Sequence, residues 1–152
     1  MVSRRVMLRH SAEAAALMAT AGLLPTTASA AWPQAAFDAK GLADTVKALG
    51  AGAPQESKDV TLTAPDIAEN GAVVPVGCAC ALAGVKRLAL LVEKNPTTLA
   101  AVFEVNDALE PSFATRVKMA QTSNVYAVAL MADGRALFAQ KEVKVTLGGC
   151  GG

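Results

Sequence analysis

Val125-Tyr126-Ala127-Val128-Ala129-Leu130-Met131-Ala132 runs directly into Asp133-Gly134, and Ala136 to Leu147 follows as Ala-Leu-Phe-Ala-Gln-Lys-Glu-Val-Lys-Val-Thr-Leu. The first segment is apolar on both faces, which marks a central strand covered on two sides. Asp-Gly is a hairpin signal, because the turn needs a backbone with positive φ. The second segment ends on Val143, Val145 and Leu147 at period two, the spacing of one strand face. The stretch therefore predicts a central strand, a tight turn and a last strand.

Further strands are expected upstream at 59–64, 72–80, 86–93, 99–105 and 112–120. Val60 and Leu62 share a face in the first, and Leu88, Leu90 and Val92 in the third. Leu99, Ala101, Phe103 and Val105 share one in the fourth, with Glu104 opposite, and Phe113, Val117 and Met119 point inward in the fifth. Pro75 suggests an edge or a bulge, since proline donates nothing to a ladder. Glu69-Asn70-Gly71 and Asn95-Pro96 read as turns. Phe37, Leu42, Val46 and Leu49 recur near helical spacing, so a short helix is expected over 35–49, ended by Gly50-Ala51-Gly52-Ala53-Pro54. Evenly spaced short strands separated by turn residues predict a mainly β protein, an immunoglobulin-like antiparallel β-sandwich. The Cys…Trp…Cys core of antibody domains is missing, because Trp32 precedes the first strand.

The N-terminus reads as an export signal. Ser3-Arg4-Arg5-Val6-Met7-Leu8-Arg9 resembles the twin-arginine pattern, a weakly apolar segment follows at 14–24, and Ala28-Ser29-Ala30 has the small-x-small form of a cleavage site. Eleven residues are too few to span a bilayer, which needs ~20, so no membrane insertion is expected. The competing reading is an amphipathic N-terminal helix in a cytosolic protein. The organisation expected is a signal over 1–30, a helix-plus-sandwich domain over 31–147 and a C-terminal arm over 148–152. The twin-arginine reading implies a periplasmic location.

Removing Arg4, Arg5, Arg9 and Glu13 from 14 Lys/Arg and 13 Asp/Glu leaves 11 and 12, a net charge of −1 for the mature chain. No basic patch is evident, which argues against nucleic acid. The one histidine, His10, lies in the signal. The mature chain therefore lacks histidine-based nucleophilic catalysis and most zinc or copper sites. No catalytic residue, metal ligand or cofactor of its own is expected, and the protein reads as a carrier rather than an enzyme.

The chain ends Gly148-Gly149-Cys150-Gly151-Gly152. Four glycines around one thiol are not packing residues, since glycine has no side chain to bury and the largest ordering cost. They predict a flexible arm with a nucleophile near its tip, reaching ~16–18 Å when extended. A frayed terminus is the bland alternative.

Three further segments join this ending in resembling the SoxY family, the sulfur-carrier subunits of the bacterial thiosulfate-oxidising system. They are Ala64-Pro65-Asp66-Ile67-Ala68-Glu69-Asn70-Gly71-Ala72-Val73-Val74-Pro75-Val76, Val92-Glu93-Lys94-Asn95-Pro96 and Thr115-Arg116-Val117-Lys118-Met119-Ala120-Gln121. The resemblance implies that Cys150 is the covalent attachment point and that Gly148, Gly149, Gly151 and Gly152 form a swinging arm. It implies a heterodimer with a SoxZ-like subunit. It implies transient docking with a c-type cytochrome (SoxAX) that couples thiosulfate to the thiol and with a manganese hydrolase (SoxB) that releases sulfate. A molybdenum–haem dehydrogenase (SoxCD) is implied for the remaining sulfur. The two apolar faces of 125–132, in a domain of 122 residues counted from Ala31, are a second reason to expect a partner chain.

Two groups of residues keep alternative readings. Cys78 and Cys80 share a strand face and read as small buried residues, as a strained disulfide or as half of a soft-metal site. Thr115, Arg116 and Lys118 read as a wet strand face, or as a contact for an anion or a partner. Competing functions are a structural immunoglobulin-like subunit of an exported complex and a ubiquitin-like carrier that holds sulfur as a C-terminal thiocarboxylate. The latter needs a β-grasp fold.

Overall fold

The structure, a computed structural model, describes residues 6–8, 10, 13, 33–106 and 108–147. The chain divides into two compact units, 1–32 and 33–152. Of the first, the described residues are helical; the signal-peptide reading otherwise falls outside the described residues, as does the arm. No helix among the described residues is long and apolar enough to cross a membrane.

The second unit is mainly β. Its strands are β1 (Pro54–Glu56), β2 (Val60–Thr63), β3 (Ile67–Asn70), β4 (Val74–Cys80), β5 (Val85–Val92), β6 (Leu99–Glu104), β7 (Ser112–Val117), β8 (Ser123–Met131) and β9 (Ala136–Leu147). They form an immunoglobulin-like sandwich of two sheets, one ordered β1-β9-β8-β5-β6 with β3 also on β9, the other β2-β4-β7. The pairs β9-β8, β8-β5, β5-β6, β2-β4 and β4-β7 are antiparallel. Both β1 and β3 instead add to β9 in parallel, one after the other along the same edge.

The hairpin expected at Asp133-Gly134 is present. Gly134 N–H donates to Met131 O at 3.1 Å and Met131 N–H to Arg135 O at 2.9 Å, so Ala132, Asp133 and Gly134 make a three-residue loop. Gly134 takes φ +87°, the left-handed conformation that such a loop needs at its last position. Asp133 accepts from Arg135 N–H and from its guanidinium at 2.7 Å, and these bonds hold its carboxyl below the usual range.

The inter-sheet core takes alternate residues of each strand. Leu88, Leu90 and Val92 of β5, and Val125, Ala127 and Ala129 of β8, pack there against Val74, Val76 and Cys78 of β4. The other alternation, Ala89, Leu91, Tyr126, Val128 and Leu130, faces a second cluster with Ala36, Val46 and Leu49 from two short helices. These are α1 (Gln34–Asp38) and α2 (Gly41–Ala48). The double apolar face of 125–132 is therefore covered by this chain itself, and it no longer argues for a partner. Fully burying a side chain such as Leu91 contributes ~1.5–3 kcal/mol, so the helices are part of the fold's stability.

Those helices were expected as one. The break comes at Ala39 and Lys40, whose backbone is extended, followed by Gly41 at φ +76°. Gly41 N–H, an unpaired donor of the new helix start, finds the Thr98 hydroxyl at 3.2 Å. The far end closes with Gly50 N–H on Lys47 O and Ala51 N–H on Val46 O, with Gly50 at φ +82°. This is the Schellman arrangement that a glycine after the last turn predicts.

Leu99 differs from expectation. The register passes from Leu90↔Ala101 to Leu91↔Leu99, leaving Ala100 as an extra residue. The bulge turns Leu99 into the helix-side cluster while Ala101 and Phe103 stay on the inter-sheet side. Pro75 does sit at an open edge: β7 pairs it through Arg116, but β2 stops at Thr63↔Gly77.

Candidate functional site

β9 carries the chain toward the residues singled out at its end. Its first eight residues run beside β8, from Ala136↔Leu130 to Val143↔Ser123. Past Val143, β8 has ended and β9 overhangs by four residues. β3 takes over, pairing Ile67, Ala68 and Asn70 with Lys144, Val145 and Leu147.

Polar contacts complete the overhang. Val145 N–H donates to Thr122 Oγ1 at 3.0 Å, and Thr146 Oγ1 donates to Glu69 O at 3.0 Å. Lys141 Nζ donates to Ala64 O at 2.7 Å and meets Asp66 at 2.9 Å, which ties the approach to β3 against β9. Leu147 O accepts Gly71 N–H at 2.8 Å, and Gly71 O accepts Met119 N–H at 2.7 Å. The Leu147 side chain is 70% exposed, yet its carbonyl is bonded to the sandwich. Whatever follows Leu147 starts from a fixed point. Gly148, Gly149, Cys150, Gly151 and Gly152 lie outside the described residues.

Sequence reasoning missed most of this base. The four residues of β3 were read partly as a turn, because a parallel partner more than seventy positions away leaves no local mark. Thr122 carries no motif, and Gly71 was read only as a turn residue. Asn95 was read only as a turn residue, but its amide donates to Lys118 O at 2.7 Å and accepts Ala120 N–H at 3.1 Å. The side-chain bonding habit of asparagine in turns was the available signal.

The other two thiols sit in a different environment. Cys78 and Cys80 are both free and both buried in the inter-sheet core, at 2% and 6% exposure. Cys78 lies between Leu62 and Phe113 in the ladder, and Cys80 opposite Val60. Desolvation pushes the Cys78 thiol up to about 11, against a smaller opposite effect from a bond with the Phe113 backbone. A thiol with that value is almost wholly protonated at neutral pH and is a poor nucleophile. Of the three readings of this pair, the small buried residue is the one observed. Among the described residues no group of three or more His, Cys, Asp or Glu converges to hold a metal.

Arg116 and Lys118 are exposed and Thr115 is half-buried. They border a cleft of about 270 Å³ between the edge strands β6 and β7. A larger hollow of about 760 Å³ lies along β4 and β7 and is lined in part by small residues such as Gly77, Ala79 and Ala114.

The profile of the sulfur oxidation protein SoxY matches residues 46–150. The chain belongs to the SoxY family. The sulfur carrier protein SoxY from Chlorobium limicola f thiosulfatophilum is similar in structure, with 36% sequence identity and a TM-score of 0.56, over 62% of this chain and 84% of that one. Superoxide reductase (neelaredoxin) from Ignicoccus hospitalis gives a TM-score of 0.51 at 18% identity, over 57% and 79% of the two chains, and shares the fold alone. A search of curated proteins finds no match. SoxY membership makes sulfur carriage the role of the family, and the SoxY sandwich is not the β-grasp fold that a thiocarboxylate carrier would need.

Proposed function

We propose that this SoxY protein holds thiosulfate-derived intermediates covalently on Cys150, in the periplasm, and presents them to partner enzymes. One observation supports the reading above the others. The family match runs up to residue 150, the cysteine itself, and the strand leading to it is bonded to the sandwich through its last carbonyl.

From this chain the chemistry needs only a thiolate. Its sulfur joins the outer sulfur of thiosulfate with loss of two electrons to an oxidising partner, a SoxAX-like cytochrome. Water, activated by a SoxB-like hydrolase, then takes the sulfonate away as sulfate and leaves a persulfide on Cys150. A SoxCD-like enzyme is the counterpart for the remaining sulfur, and a SoxZ-like subunit is the stable partner. The twin-arginine reading supports the compartment, with Ala31 as the mature N-terminus.

Intact-mass analysis of the mature protein, with thiosulfate and the oxidising partner, tests this. One reductant-labile, thiosulfate-derived group should map to the C-terminal peptide, and Cys150→Ser should abolish both the adduct and turnover. A Cys150→Ser chain that still turns over would establish a structural subunit instead.

A further inference from the structure

On one side the sandwich ends in two unpaired strands. β6 bonds only β5 and β7 bonds only β4, so each turns a row of backbone N–H and C=O groups outward. Such edges are commonly guarded by charge or proline. Leu99-Ala100-Ala101-Val102-Phe103 of β6 carries neither, and Ala100 to Phe103 are half-buried. The bulge at Ala100 leaves 101–104 in regular register with β5, so these four residues keep an uninterrupted edge.

Phe103 and Phe113 stack at 4.7 Å between the two strands and close one end of this side. Toward the other end lies the cleft that Arg116 and Lys118 line. Among the described residues no carboxylate lines that cleft, and neither cation lies within 4.0 Å of an acidic side chain. The Asn95 side chain accepts Ala120 N–H and donates to Lys118 O, which joins 92–96 to 115–121. These are two of the three internal segments that resemble the family, and the thiol chemistry uses neither.

We propose that this side of the sandwich docks an acidic, extended segment of a partner protein, added to β6 as a further strand beside Arg116 and Lys118. Such a strand bonds the free backbone groups of 101–104. Its carboxylates on the cleft side meet a guanidinium and an ammonium that have no acidic partner in the described chain. A second copy of this chain is a poor occupant, because an isologous contact here brings two cation pairs into one seam. One strand edge and two rim charges are little surface against the ~1,200 Å² or more that a stable complex buries. The surface therefore fits a transient partner steered by charge. In the carrier reading, on which this last step rests, the transient partners are the enzymes that visit the thiol.

The docking edge is tested on the mature Cys150→Ser chain, so the answer does not depend on what the thiol carries. The probes are two synthetic peptides, one alternating Glu with Val and one alternating Lys with Val. At millimolar concentration the Glu peptide should shift the amide resonances of 101–104 and 115–118, and added salt should weaken the shift by screening. The Lys peptide should shift neither. R116E/K118E should bind the Glu peptide about tenfold more weakly and take the Lys peptide instead, with R116Q/K118Q in between. Resonances of the unreversed chain that stay unmoved by the Glu peptide would overturn the docking edge. So would sulfate moving 115–118 as strongly while 101–104 stay still, which would make the cleft a small-anion site. The transient assignment is read with Cys150 restored, in thiosulfate-dependent turnover with the host's enzymes. R116E/K118E should show a roughly tenfold higher KM as carrier, while iodoacetamide alkylates Cys150 at the parent rate. An unchanged KM, or loss of the SoxZ-like subunit from the variant, would overturn that assignment. A Cys150→Ser chain that still turns over sinks the carrier reading alone and leaves the peptide result standing.

Discussion

The two parts of β9 are held by different forces. Up to Val143, which is fully buried, the strand has β8 along one edge and contributes to the packed sandwich. Beyond Val143 it keeps a short parallel partner, two hydroxyl contacts and one bonded terminal carbonyl, and its side chains are largely exposed. Buried apolar contacts are worth several kcal/mol per residue, whereas a polar contact nets ~0.5–1.5 kcal/mol. The first part therefore sets whether the protein is folded. The second sets where the thiol-bearing segment begins, and it can be altered without unfolding the rest.

The largest effect should come from the sandwich. Leu90→Ala removes a fully buried side chain beside β8 and should cost ~2–5 kcal/mol in denaturant unfolding. Alkylation of native Cys150 should proceed at the parent rate; a changed rate would join the two parts that the comparison separates.

A smaller effect is expected at the overhang. Thr122→Val leaves Val145 N–H without its acceptor, a loss of ~1–3 kcal/mol confined to the overhang of β9. Hydrogen exchange at Val145 and Leu147 should accelerate while exchange in β5 and β8 stays slow. Uniform acceleration would show that the overhang is part of the core's cooperative unit.

The smallest effect separates the two kinds of thiol. Cys78→Ala should cost about 1 kcal/mol near neutral pH, typical of a single substitution. Burial raises the Cys78 thiol from 9.0 to about 11, so the protonated form is favoured by folding. That contribution is complete below the unfolded value and is lost as pH rises from 9.0 through about 11. The parent should lose stability relative to Cys78→Ala across this window. A constant difference would mean that the thiol is not desolvated as the structure places it.

Much of the sandwich was legible because strands announce themselves locally. Alternation in 59–64 and 112–120, the Asp133-Gly134 turn and the glycine after α2 each act within a few residues. Leu99 was misassigned because a one-residue bulge reverses every face beyond it, and bulges leave no composition signal. The helix pair was read as one because Gly41 interrupts a pattern whose apolar period continues across it.

The sequence by itself determined the class of fold, the hairpin that organises it and the placing of one cysteine among four terminal glycines. Those are matters of side-chain period and backbone freedom. Only the tertiary structure decided that α1 and α2 cover the second apolar face of β5 and β8. It alone placed β3 in parallel on the end of β9, and Gly71 between Leu147 and Met119. Each of these joins segments far apart in the chain, and pairing at that distance is settled by which surfaces exclude water together and which backbone groups are left to bond.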